Sequence, residues 1–364
     1  MVDLGSTDYM TVLATELSGS GSDFDVVTIK DVPGYATLVQ KNTLESLDDY
    51  ITDAGINLAD FNGITDQVTV DGSLYELPFR SDYWLIYYNK DVFDAAGIAY
   101  PSNDMTMEDY DALARQLTDT TYGSQVYGCH YHTWRSAVEL FGILDGKHSI
   151  LDGNYDWMIP YYDMILSEED DGVCQTYTDL STEGLHYSAA FSNGNVAMMN
   201  MGSWFISTLI SNLDSGEYDS SLCGNWGIAS YPHPDGAEAG STIATITGLA
   251  VTSASANKDA AFDFVNWVSG TEGAKVMAST GNFPAIMTDD VINTIAGMAG
   301  FPTDESSKEA LNITNAYLEV PYAENVSEIN SILDTYHTSI MNREVTVEEG
   351  VASMNEQVGK ILNQ

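Results

Sequence analysis

Basic residues are scarce in this 364-residue chain. Twelve lysines and arginines stand against 54 aspartates and glutamates, a net charge of −42 at neutral pH. Such a field repels phosphate backbones and anionic headgroups, so nucleic acid and membrane surfaces are disfavoured as partners. The acids are dispersed rather than gathered into a tail, which reads as a solvated coat ahead of a dedicated cation site. Cysteine is also sparse. Cys129, Cys174 and Cys223 lie far apart with no CxxC, and the odd count leaves at least one thiol unpaired, against a disulfide scaffold. A Cys129–Cys174 bridge can be drawn, but nothing in the spacing selects it. No apolar run approaches the roughly 18 residues that span a bilayer, so direct membrane insertion is not expected. The start, Met1 to Gly5, has neither a basic region nor an apolar segment, so an exported form would have shed its signal. GxSxG, Walker A, GxGxxG and HExxH patterns are absent, as are repeats and low-complexity linkers. No cofactor, metal or catalytic residue is expected.

What is present suits two α/β lobes. The length exceeds one ordinary core, the hydrophobic content is 44% and the mean hydropathy is −0.12. Ser6 or Thr7 can cap a helix carrying Tyr9, Leu13 and Leu17, stopped by Gly19 and Gly21. Phe24 to Ile29 predicts a buried strand ending in an Asp31-Val32-Pro33-Gly34 loop, with a helix and turn over 35–51. Thr106 caps a helix through Leu117. The segment 71–93 is the most informative: a turn at Gly72, the Tyr75-Glu76-Leu77-Pro78-Phe79 edge, the polar break Arg80-Ser81-Asp82, then an aromatic strand from Tyr83 to Tyr88 running into a helix that stops near Gly97.

This segment resembles a signature of the extracellular solute-binding proteins of ABC importers, in the maltose-binding-like family 1 that mostly takes up sugars. Further motifs follow in the family's order. Phe191 to Met198 leads into Met201-Gly202-Ser203-Trp204, where an Asn193-Gly194 turn delivers a short strand. Trp226 to Ala229 precedes Pro232-His233-Pro234-Asp235-Gly236. Thr247 to Val251 resembles the second inter-lobe strand, Gly281 to Ala285 a family turn, and 326–362 the closing helices.

The resemblance implies a two-lobed, type II periplasmic-binding-protein-like fold, each lobe a mostly parallel sheet flanked by helices. The first lobe is expected at 1–88 plus 248–305, the second at 89–247 plus 306–364. The family opens with a strand and a long helix ahead of the element at 6–18; these are missing here, which predicts a first lobe lacking an inner strand. The implied function is capture of a sugar, most simply a short oligosaccharide, between lobes that close on it, and delivery to ABC permease subunits. The implied location is the bacterial cell surface or exterior, with a lipid anchor on the full-length precursor.

Sugars are held by aromatic faces and by planar polar groups that meet hydroxyls. Trp204 matches the family's stacking position, with Gly202 permitting a tight turn and the corner aiming the ring away from its helix. Tyr83 and Trp84 open the aromatic strand, and strand alternation lets only one face the ligand. Trp134 sits in a loop and can be site or core. Arg80 offers a fork of donors and Asp82 an acceptor, unless the two merely pair with each other. Asp31 follows a buried strand, where open α/β sheets bind ligands. Phe283 and Tyr322 are weaker candidates. Trp226 lies on a strand and is a weaker candidate, while Trp157 and Trp267 sit at helical spacing among apolar residues and are read as core. His130 and His132 offer two metal ligands and lack a third. The competing readings are a secreted glycoside hydrolase or polysaccharide lyase, which needs a buried carboxylate pair, and an adhesin, which needs repeats.

Overall fold

The computed structural model describes residues 2, 4, 5, 8–20, 23–120 and 125–363. Ser6, Thr7 and Gly21, expected to bound the first helix, lie outside them. The chain forms two compact units: Met1–Asp82, Ala244–Ile295 and Val320–Asn330 in one, Tyr83–Ile243, Ala296–Glu319 and Ser331–Gln364 in the other. Of the five crossings between them, the first two fall inside long strands, β2 (Leu77–Asn89) and β6 (Thr242–Val251), rather than at 88/89 and 247/248. Residues 320–330 join the first unit through one backbone and one side-chain hydrogen bond. The Tyr322 amide donates to the Gln67 carbonyl at 3.0 Å, and the Ser327 hydroxyl to that of Pro33 at 3.0 Å. Residues 296–319 join the second, where Asp304 pairs with Lys90 and the Ser307 hydroxyl accepts from the Ile228 amide at 3.2 Å.

In the first unit, β1 (Val26–Ile29) runs antiparallel to β6, with Val26 opposite Val251 and Ile29 opposite Gly248. A helix starts at once, Val32–Gln40, where a loop is expected. Asp31 caps it by accepting from the Gly34 amide at 2.7 Å. Pro33 falls in the first turn, where a missing N–H costs nothing. Val32, Tyr35, Ala36 and Leu38 face the core. Lys41-Asn42 end this helix, and a separate one runs from Asp48 to Ala54. The expected helix over 35–51 is therefore two.

In the second unit, β2 is flanked by β4 (Val196–Gly202) and β5 (Trp226–Ser230), and β3 (Tyr127–His130) lies beyond β4. Strand β3 runs parallel to β4, while β2 is antiparallel to both β4 and β5. The expectation of mostly parallel sheets is corrected to mixed sheets, for a topological reason. Strands β4 and β5 end beside the middle of β2, with Gly202 opposite Trp84 and Ser230 opposite Leu85. Strand β2 thus runs against both neighbours. Covered on both faces, Tyr83 to Asn89 is buried without alternation. Tyr87 packs edge-on against Phe191 and Phe205.

Trp267 and Phe264 depart from expectation. On the helix Lys258–Ser269 the buried positions are Ala261, Phe262, Val265 and Ser269, while Phe264 and Trp267 lie on the opposite side, 54% and 55% exposed. Helical spacing placed them together but on the outward face. Trp226 is 3% exposed, stacked on Tyr87, and Trp157 is partly buried over Gly142. No helix among the described residues is long and apolar enough to cross a membrane.

Candidate functional site

Where β4 ends beside the middle of β2, the second unit gathers an aromatic group from four separate segments. Trp84 sits in the middle of β2, 3% exposed. Trp204 opens the helix Trp204–Ser215 immediately after β4. Its indole stands edge-on to Trp84 at 5.6 Å and tilts against Trp134 at 6.2 Å. Trp134, four residues past β3, is 40% exposed and also meets Trp84 at 6.4 Å. Tyr187 adds a ring 5.7 Å from Trp134, and His132 one at 4.6 Å. Trp84 forms the floor, while Trp204, half-buried, and Trp134 offer surface to an incoming molecule.

The local sequence explains how Trp204 is held. Its ring lies back over Gly202. A Cβ added there would come within 2.0 Å of the indole. Gly202 is thus required by close approach, not by a tight turn. The Ser203 amide donates to the Tyr83 carbonyl at 2.8 Å, and the Tyr83 amide to the Ser203 hydroxyl at 3.2 Å, locking the corner to β2. The Trp134 loop is pinned by its neighbour: buried Arg135 pairs with Glu139 and, at 2.8 Å, with Asp334.

Polar groups surround these rings. Burial pushes the imidazoles of His130 and His132 down to about 4, aided by their neighbours His132 and His186 respectively, so both are neutral at physiological pH and can donate or accept. Glu319 accepts from the Ser136 hydroxyl, and desolvation raises its pKa. Local sequence did not single out Tyr187, His186 or Glu319. Each lies far in sequence from the tryptophans, and only strand order brings them together.

The first unit holds the other sequence candidates, which do not form one group. Arg80 turns its guanidinium to Asp82, Nε to Oδ2 at 2.6 Å, with side chains 29% and 8% exposed. The mutual pair is therefore formed, and part of the Arg80 fork is already used. Phe283 is fully buried, its carbonyl accepting from the Ser81 amide at 3.2 Å. Tyr322, partly buried, packs edge-on against Tyr35 at 5.9 Å. Asp31 is exposed, its carboxylate engaged as a helix cap. In the second unit, Tyr83 is 1% exposed and, by alternation, opposite in facing to Trp84. The residue that local reading missed is Glu76. It is wholly buried, neither oxygen makes a hydrogen bond, and it abuts Gly248 so closely that a Cβ there would lie 2.1 Å from Oε2. Desolvation, helped by the charge of Asp31, pushes its carboxyl up to about 8.

The family model for the bacterial extracellular solute-binding protein matches residues 1–275. The chain belongs to that family. Among solved structures, this solute-binding protein is similar to a sugar transporter from Rhizobium etli in an open conformation. The two are 47% identical, with 98% of this chain and 90% of that one covered and a TM-score of 0.91. An ABC substrate-binding protein from Listeria monocytogenes, in complex with cycloalternan, shares the fold at 22% identity, covering 99% and 90% of the two chains with a TM-score of 0.79. A mannitol-binding protein of Pseudomonas aeruginosa is 24% identical over 274 residues, 73% of this chain. The match spans 61% of that relative's length, less than two thirds. The α/β two-lobed fold expected from the motifs is the fold of these neighbours.

Proposed function

We propose that this solute-binding protein captures a carbohydrate, most simply a short oligosaccharide, and hands it to the permease subunits of an ABC importer. The observation that carries the reading is the group of Trp84, Trp134, Trp204 and Tyr187 at the ends of β3 and β4. Exposed indole surface beside neutral imidazoles suits a ligand with apolar C–H faces and a rim of hydroxyls. In the same proposal Trp204 and Trp134 stack on the sugar over Trp84. Arg80, Asp82, Asp31 and Tyr322 are proposed as polar contacts to the ligand, and Tyr83 and Phe283 as supports from the core. The Rhizobium etli relative, named a sugar transporter, supports the ligand class. The family's description supports an extracellular setting, and a lipid anchor at the bacterial surface belongs to the proposal too.

The hydrolase reading draws less support. Glycoside hydrolysis needs a carboxylic acid that reaches the glycosidic oxygen. Glu76 and Glu168, whose carboxyls burial pushes up to about 8, are wholly buried, and Glu319, also raised by desolvation, is engaged by the Ser136 hydroxyl.

The test is a thermal-shift screen against monosaccharides, polyols and oligosaccharides, with amino acids and peptides as the other arm. A ligand present at 100 times its Kd adds about 2.7 kcal/mol to the native state and raises Tm accordingly. A shift with amino acids or peptides and none with any carbohydrate overturns the proposal. The stabilising sugar should be recovered intact after hours with the protein; cleavage products in excess of the protein would put the hydrolase reading first.

A further inference from the structure

The second unit also buries two thiols side by side. Cys129 is the third residue of β3, and Cys174 follows the helix Ile159–Asp170. The Cys129 amide donates to the Val173 carbonyl at 3.4 Å, so the two backbones are neighbours. The two sulfurs and one carboxylate oxygen of Glu168 all lie within 4.8 Å of one another. The three residues are 0%, 2% and 0% exposed. Cys223 ends the short helix Ser220–Cys223 and is not a member of this cluster.

Two chemistries could use such a cluster. A zinc-like dication would find three donors where closed sites use four. Held by two thiolates and a carboxylate, it would also leave a net negative charge enclosed, at a desolvation cost of several kcal/mol. A disulfide carries no charge and needs no further group. Extracellular proteins also mature where disulfides persist.

We propose that Cys129 and Cys174 form a disulfide when the protein folds outside the reducing cytosol, leaving Cys223 as the free thiol. The oxidant is a disulfide compound such as oxidised glutathione or an oxidised dithiol oxidoreductase. It accepts two electrons and both thiol protons. One S–S bond forms in the protein as one breaks in the oxidant, which leaves as two thiols. Because both sulfurs are enclosed in the folded unit, exchange takes place before packing is complete. The bridge ties β3, whose end carries His132 and Trp134, to the turn after the helix Ile159–Asp170.

The test uses the full chain, refolded in a glutathione redox buffer or secreted from an oxidising compartment. It is denatured in N-ethylmaleimide and weighed. One adduct is expected without reductant and three after reduction, with the Cys129 and Cys174 peptides linked before reduction. Three adducts without reductant overturn the proposal, as does a bridge to Cys223, or zinc bound at one equivalent with all thiols free. Reductant should lower Tm by about 5–10 °C in the wild type and leave Cys129→Ser/Cys174→Ser unmoved. An equal response of the two proteins also overturns it, and the adduct count stands should that variant fail to fold.

Discussion

Replacing Trp204 by alanine isolates the contribution of the aromatic group. A tryptophan side chain carries about 150–250 Å². One side of this one is spent on Gly202 and Trp84, leaving roughly 60–100 Å² for a ligand to cover. At about 25 cal/mol per Å² that area is worth roughly 1.5–2.5 kcal/mol, which raises Kd about 10- to 70-fold. The variant also loses its ring contacts with Trp84 and Trp134, so a melting temperature lower by a few degrees is expected without sugar. Titration calorimetry with the best sugar of the screen measures the first effect, and a melting curve of the apoprotein the second. Trp204→Phe, which keeps a flat ring, should recover part of the affinity. Unchanged affinity in a folded Trp204→Ala protein would refute the reasoning, because the indole would then be a wedge in the core.

Glu76→Gln should change how stability depends on pH. The wild-type carboxyl is pushed up to about 8 from 4.5, so its folded pKa exceeds its unfolded one. The protonated group's contribution is fully present below about 4.5 and is lost as pH rises through 8, by at most 4–5 kcal/mol on the order of 1.4 per unit. Urea unfolding at pH 5 and pH 8 should show a smaller decline for the variant, and equal declines would refute the burial argument. Arg80→Lys keeps charge beside Asp82 but loses the planar fork, and sugar binding should weaken severalfold in calorimetry. An unaltered Kd would assign Arg80 to its ion pair alone. Gly202→Ala forces a methyl into the Trp204 ring and should cost about 1–3 kcal/mol in denaturant unfolding, with weaker binding alongside. A variant that melts and binds as the wild type would show that the ring is free to move.

Much of this was legible in the linear order of residues. The aromatic run Tyr83 to Tyr88 announced a strand because β-branched and aromatic side chains suit a covered pleated surface. Gly97 marked a helix end, since a left-handed residue closes it at φ 67°. The Gly202-Ser203-Trp204 corner and the order of motifs led to the family. These signals are local, carried by periodicity, caps and turn residues within a few positions of one another. Pro33 shows their limit: Pro-Gly reads as a loop unless Asp31 is seen to cap the helix that Pro33 begins.

Only the tertiary structure decided which residues meet. Trp84, Trp134, Tyr187 and Trp204 come together because β2 runs between β4 and β5 with β3 beyond, which places the end of β4 beside Trp84 in the middle of β2. Nothing within a few residues of any of them encodes that order. It follows from burying both faces of β2 at once. The same packing turned Trp267 outward on a helix whose other side was needed for the core. It enclosed Glu76, paired Arg80 with Asp82, and set Cys129 beside Cys174. Sequence spacing specifies which element a side chain belongs to; the pairing of distant elements, driven by the apolar surface they share, specifies what that side chain touches.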